Sequence, residues 1–346
     1  MNRPPSPLNM LLSRHTRRRE FITLLGGTVV SWPVAARAEQ TNQVRRIGVL
    51  MGYASTDPEG QALLAEFTRR LAELGWTESR NVRIEVRWGG SNVDLLHTFA
   101  RELIGLQPDV LLASSTPTTA ALARETQTIP IIFTLIADPV GNRFVASLSH
   151  PGGNITGFSV LEASVASKSF ELLRELATGI KRVAMMFNPN TAPIVNSMVM
   201  PVFKTTAESF NIAPIAAPVH SDAEIETVIT SLGCEPGGAL FGGPDTFITN
   251  HRATIISLAV RNHVPTVFEN PVFARDGGLV SYGADFRDNF GRSAQYVNDI
   301  LRGAKPSDLP VQMPVKYLLT INLKTAKALA ITVPQTLLVA ADEVIQ

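Results

Sequence analysis

The chain has 346 residues, 45% of them hydrophobic and 18% charged, with a formal net charge of +1. That composition suits one large or two medium α/β domains with a sizeable core, and it excludes wholesale disorder. The charge is unevenly placed: the stretch up to Ala38 holds six Arg and one acid, Glu20, which leaves 25 basic and 29 acidic residues beyond it. A mildly acidic body without a basic stripe argues against nucleic acid as a partner.

The first 38 residues read as an export signal. Arg17, Arg18 and Arg19 precede the apolar FITLLGGTVVSWPV, and Ala36-Arg37-Ala38 gives a small-x-small cleavage pattern. The apolar run is too short to span a bilayer comfortably. Arg18-Arg19-Glu20-Phe21 resembles a twin-arginine signal, with Arg17 and Thr23 departing from the usual pattern. Cleavage near Ala38 would release the body into the periplasm. Cys234 is the single cysteine, so no internal disulfide forms and the fold must rest on its core.

From Gln43 the pattern alternates. VRRIGVLMG predicts a strand, and Leu63, Leu64, Phe67, Leu71 and Leu74 recur at helical spacing up to Gly75. NVRIEVRW predicts a strand, and a helix carries Leu95, Leu96, Phe99, Leu103 and Ile104. Strands at DVLLAS and IPIIFTLI bracket a helix, VGNRFVASLSH is expected to be helical, and ITGFSV is a short strand or crossover. A second series starts at Glu162. It has strands at KRVAMMF, NIAPIAAPV, GGALFGG and VPTVFEN, with a helix to about Phe210, another at DAEIETVITSL and one ending at His263. GLVSYGAD, the helix DFRDNFGRSAQYVNDILRG, the extended VQMPVKYLLTI and the helix NLKTAKALA complete the pattern. Strands alternating with helices mean an α/β protein with parallel sheets and helices on both faces; two series mean two lobes.

Chemistry concentrates at the carboxyl ends of strands, where open α/β sheets bind ligands. The run Ser114 to Thr119 ends one strand and starts a helix, with Pro117 near the first turn. Ala137-Asp138-Pro139 ends the next and is read as another helix start. The candidate ligand-binding residues are Tyr53, Ser55, Ser115, Thr116, Thr118 and Asp138 in the first lobe. In the second they are Asn188, Asp245, Glu269 and Tyr282. No phosphate loop, nucleophile elbow or dinucleotide fingerprint is present. The six His show no metal-ligand spacing. Hydroxyls, carboxylates and aromatics without a nucleophile–base pair suit holding a small molecule better than transforming one. No catalytic residue, metal or cofactor is expected.

Four segments carry a family resemblance: RRREFITLLGG, DPVGNRFVASLSHPGGNITGFSV, GGLVSYGAD and LPVQMPVKYLLTINLKTAKALAITVPQTLLVAADEVI. The chain resembles the periplasmic substrate-binding proteins of an ABC transporter family that includes tryptophan- and tyrosine-binding members. The resemblance implies a two-lobed type I periplasmic-binding-protein fold with three crossovers forming a hinge. Residues 44–159 plus about 279–312 would form the N-terminal lobe, and about 160–278 plus 313–346 the C-terminal lobe. It implies a non-enzymatic monomer that captures a small solute in the interlobe cleft and delivers it to a membrane permease with its ATPase. The expected solute is an amino acid, with aromatic ones among the candidates. Ser115, Thr116 and Thr118 would meet its carboxylate. Asp245 or Asp138, helped by Asn188, would meet its ammonium, and Tyr53, Phe158, Phe247 or Tyr282 would flank its side chain. The alternatives are a sensor that hands ligand occupancy to a signalling receptor and, as a further class, an α/β enzyme with Asp138 or Asp245 as base.

Overall fold

A computed structural model of the chain describes residues 44–160 and 163–346; the leader and Glu162 lie outside them. The first sheet carries strands β1 (Arg45–Met51), β2 (Val82–Trp88), β3 (Val110–Ala113), β4 (Ile131–Ile136) and β5 (Ile155–Ser159). Their order is β2-β1-β3-β4-β5, and every pair is parallel. Helices α1 (Pro58–Glu73), α2 (Val93–Gly105) and α3 (Thr116–Glu125) connect them.

The second lobe follows with α4 (Ala163–Leu176), β6 (Arg182–Phe187), α5 (Met200–Ser209), β7 (Ala213–Pro218) and α6 (Asp222–Gly233). It continues with β8 (Gly238–Gly242), α7 (Thr246–Asn250), α8 (Arg252–Arg261), β9 (Thr266–Phe268), α9 (Val272–Arg275) and β10 (Val280–Ala284). After α10 (Phe286–Leu301) come β11 (Tyr317–Asn322), α11 (Leu323–Ala328), α12 (Gln335–Ala340) and β12 (Glu343–Ile345). The second sheet runs β12-β11-β10-β9-β8-β6-β7 and is parallel except for the antiparallel pair β10–β11.

Side-chain alternation divides each sheet between two cores. In β1, Ile47, Val49 and Met51 face α1 and α10 through Leu63, Phe67, Phe290 and Val297, whereas Leu50 faces Leu96, Leu103 and Leu122. In β6, Val183, Met185 and Phe187 pack with Phe170, Phe203 and Phe241, whereas Ala184 and Met186 face Ile229, Ile255 and Phe268. The rings of Phe170 and Phe203 lie 4.9 Å apart, and those of Phe203 and Phe241 5.4 Å. Each such fully buried ring contributes about 1.5–3 kcal/mol.

The chain passes between the lobes three times: after β5, between β10 and α10, and before β11. Residues 279–312 are therefore divided. β10 pairs with β9 and β11 in the second sheet, whereas α10 returns to the first lobe, where Asn289 Nδ2 donates to the Thr134 and Ser159 carbonyls. The crossings are tied to one another. Gln312 exchanges backbone hydrogen bonds with Gly157 and Ser159, and Asp285 accepts Lys316 Nζ at 2.8 Å. Gly157 (φ 154°) is required on β5, since a Cβ there would sit 2.0 Å from the Phe133 carbonyl oxygen.

Other expectations need correction. Residues 140–150 form turns, not a helix. Asp138 Oδ1 accepts the Gly141 N–H at 2.7 Å, and Arg143 takes a positive φ of 60°, so the local bonds compete with helix propagation. The helix expected to end at His263 is two, broken at His251. The final α12 and β12 were not expected; β12 adds a parallel edge strand to β11. Cys234 is exposed at the end of α6.

Candidate solute-binding cleft

The carboxyl ends of β1, β3 and β4 in one lobe and β6, β8 and β9 in the other converge on one cleft. Gly52, Tyr53, Ser114, Ser115, Thr116, Leu135, Val160 and Phe286 line it from the first lobe side. Thr191, Pro244, Asp245, Thr246, Thr249 and Asn270 line it from the second. About 490 Å³ of space lies among these atoms when the open mouth is counted, and a cavity of about 40 Å³ when it is not. The smaller space is of a size that admits water.

In the first lobe the turn after β3 is locked. Ser114 Oγ accepts the Gly52 N–H at 2.7 Å. Ser115 and Thr118 form a reciprocal capping box at the start of α3, and Thr118 is fully buried within it. The amino end of a 10-residue helix thereby faces the cleft beside Ser115 and Thr116. Gly52 sits between the lobes with no room for a side chain: a Cβ there would stand 2.7 Å from Ser115 Oγ and 3.1 Å from Thr246 Cγ2.

In the second lobe Asp245 caps α7 and clamps two loops. Its Oδ1 accepts Thr191 Oγ1–H and the Phe247 N–H at 2.8 Å, while Oδ2 accepts the Asn188 N–H at 2.6 Å. Burial pushes this carboxyl above its ordinary range, and those three hydrogen bonds and His251 act against the shift. Tyr53 is buried, and desolvation, then the carboxylates of Glu59 and Asp57, push its phenol upward.

Three contacts bridge the lobes beside the cleft. Arg252 of α8 donates to both oxygens of Asp57, at 2.6 and 3.1 Å, and both residues are buried. Arg252 Nε also donates to Asp276 at 2.6 Å. Asn250 Nδ2 donates to the Gly52 carbonyl at 2.8 Å. The Tyr53 phenol stands against the side chain of Asn270.

Of the residues singled out from sequence, Tyr53, Ser115, Thr116 and Asp245 line the cleft. Thr118 lies behind it in the capping box, and Asn188 stands at its margin holding Asp245 through its backbone. Ser55 is exposed. Asp138 lines a different groove with Pro139, Val140, Leu148 and Met313. Glu269 is buried outside the cleft, its Oε1 without a hydrogen-bond partner. Tyr282 stacks on Tyr317 with ring centroids 6.0 Å apart. Phe158 and Phe247 belong to the cores, Phe247 stacked on His251 at 4.0 Å. Asn270 also lines the cleft; it was not among the sequence candidates although it follows Glu269 at a strand end, where the same rule applies. Leu135, Val160 and Phe286 carry no polar signal in sequence.

Among the described residues no group of three His, Cys, Asp or Glu is placed to hold a metal ion. None of their helices is long and apolar enough to cross a membrane.

Two α/β lobes, crossed three times by the chain and closing on a cleft at the ends of their strands, define a two-lobed solute-binding protein of type I. Residues 59–345 match the model of the ABC transporter substrate binding protein family, and the chain belongs to that family. It is similar to a tyrosine-binding protein of Clostridioides difficile (strain R20291), with 24% identity over 76% of this chain and 75% of the relative. Among solved structures it resembles a conserved domain protein from Vibrio cholerae at 27% identity and a TM-score of 0.81, covering 87% of this chain and 100% of that one. It also resembles an ABC domain in complex with L-Trp from Streptococcus pneumonia, again at 27% identity, with a TM-score of 0.78 and coverage of 87% and 99%. The family is one of binding proteins and not of enzymes.

Proposed function

We propose that this chain is the periplasmic receptor of an ABC importer, binding an amino acid, with an aromatic side chain preferred, and presenting it to a membrane permease. The observation that carries the reading is the two-sided character of the cleft. Tyr53, Leu135, Val160 and Phe286 form an apolar wall on the first lobe side, while Ser115, Thr116, Thr191, Thr246 and Asn270 supply polar groups. An amphipathic solute of amino-acid size uses both. The Ser115–Thr116 turn and the α3 amino end receive its carboxylate. Tyr53 and Phe286 pack on its side chain. The L-Trp complex and the tyrosine-binding relative support this solute class.

Capture proceeds by parting and closing of the lobes about the three crossings, and the closed form is the one the permease accepts. The leader directs export and is cleaved near Ala38; the mature receptor acts as a monomer.

The test is a thermal-shift panel on the chain from Glu39, containing amino acids, small carboxylates, sugars and nucleosides. A solute at 100 times its Kd adds about 2.7 kcal/mol of stability. Tryptophan, tyrosine or phenylalanine should raise Tm by several degrees. A shift from sugars or nucleosides alone would discard the amino-acid assignment.

A further inference from the structure

Asn270 lies just beyond β9, lines the cleft and is 6% exposed. Its amide is oriented by its surroundings: Oδ1 accepts the Val272 N–H at 3.1 Å. Nδ2 is buried and has no hydrogen-bond partner. The Tyr53 phenol of the opposite lobe stands beside this side chain. The protons of Nδ2 are left unmet on the cleft wall. Evolution of an apolar residue there would have been cheaper unless something else accepts those protons.

The other polar groups sharpen the requirement. Across the cleft stands the amino end of α3, which also seeks an acceptor. Asp245 is the one carboxylate among the described residues lining the cleft, and its oxygens already accept three hydrogen bonds from its own lobe. Unmet donors therefore outweigh unmet acceptors.

We propose that Asn270 is a specificity-determining residue whose Nδ2 donates to a carboxylate oxygen of the solute. The second lobe thus reads the anionic end of the solute, and closure delivers this donor to it. The proposal rests on the receptor reading above and deepens it, since it makes the carboxylate the feature without which a solute is rejected.

Asn270→Asp provides the test. It keeps an oxygen for the Val272 N–H, while it replaces the amide donor with an acceptor. Calorimetric titration with L-tryptophan and L-tyrosine, and with tryptamine and tyramine, which lack the carboxylate, reads the preference directly. The wild type should bind the acids and reject the amines. Asn270→Asp should bind the acids 10- to 100-fold more weakly and shift the preference toward the amines. Asn270→Ala should lose about 10-fold on the acids with no gain on the amines, and melting without solute checks that each variant folds. Acid affinities within twofold of wild type in both variants overturn the role of Asn270 and leave the receptor reading standing. A wild type that takes the amines as tightly as the acids also overturns it. A wild type that binds none of the four overturns both this assignment and the aromatic amino-acid reading.

Discussion

Glu269 is a carboxyl placed where nothing in its surroundings stabilises its charge. It is buried, Oε1 lacks a partner, and desolvation pushes it up to about 8 from an ordinary value of 4.5. Between those two values the folded chain holds a proton that the unfolded chain releases. Stability therefore falls as pH rises through that window, by at most about 1.4 kcal/mol per pH unit, and is fullest below the lower value. Asp245 shifts in the same direction, so the clean comparison is with Glu269→Gln at matched pH. Its Tm should decline less than that of wild type between pH 5 and 9. Parallel Tm profiles for the two proteins would show that Glu269 is not the titrating group. The residue also shows what pattern reading misses. A carboxylate at a strand end looks like a ligand contact in sequence, and only the packing reveals that its side chain leaves the cleft.

Among the elements, α3 shows sequence and structure in closest agreement. The Ser115 cap, Pro117 in the first turn and the buried strands on either side were legible because capping and burial are local signals. Ser115→Ala removes one half of the capping box and should cost about 0.5–2 kcal/mol in denaturant unfolding. It should also weaken solute binding, because the same turn presents the helix end to the cleft. Loss of stability with unchanged affinity would restrict Ser115 to its structural role. The segment after β4 shows the opposite. VGNRFVASLSH has helix-compatible residues, yet the Asp138 turn and the positive φ of Arg143 spend its hydrogen bonds elsewhere. β10 was misplaced for a topological reason: its pairing with β9 and β11 is long-range, and no local pattern records which sheet a strand joins. The apolar half of the cleft was illegible for a related reason, since Leu135, Val160 and Phe286 look like core residues until the lobes are brought together.

At the scale of the molecule, the buried Asp57–Arg252 pair joins the two lobes. Breaking a buried ion pair by removing one charge costs about 3–5 kcal/mol when the remaining charge stays buried. Parting of the lobes, as proposed above, would return Arg252 to water, so the loss should appear as opening before unfolding. Asp57→Asn isolates the effect, because Asn still caps α1, where Asp57 accepts the Glu59 and Gly60 N–H groups. Small-angle scattering of the unliganded variant should give a larger radius of gyration than wild type, with faster solute release. An unchanged radius and release rate would show that the pair does not hold the cleft shut.

The division of both lobes along the sequence bears on how the protein is made. A ribosome emits the first sheet early, but the helix that covers one of its faces, α10, comes after nearly all of the second lobe. The second sheet in turn lacks β11 and β12 until after α10 has been made. A nascent chain thus carries two incomplete cores at once, with sheet faces bare that the finished molecule hides. Maturation should be a late, nearly simultaneous event, and the risk of aggregation is greatest before β11 has emerged.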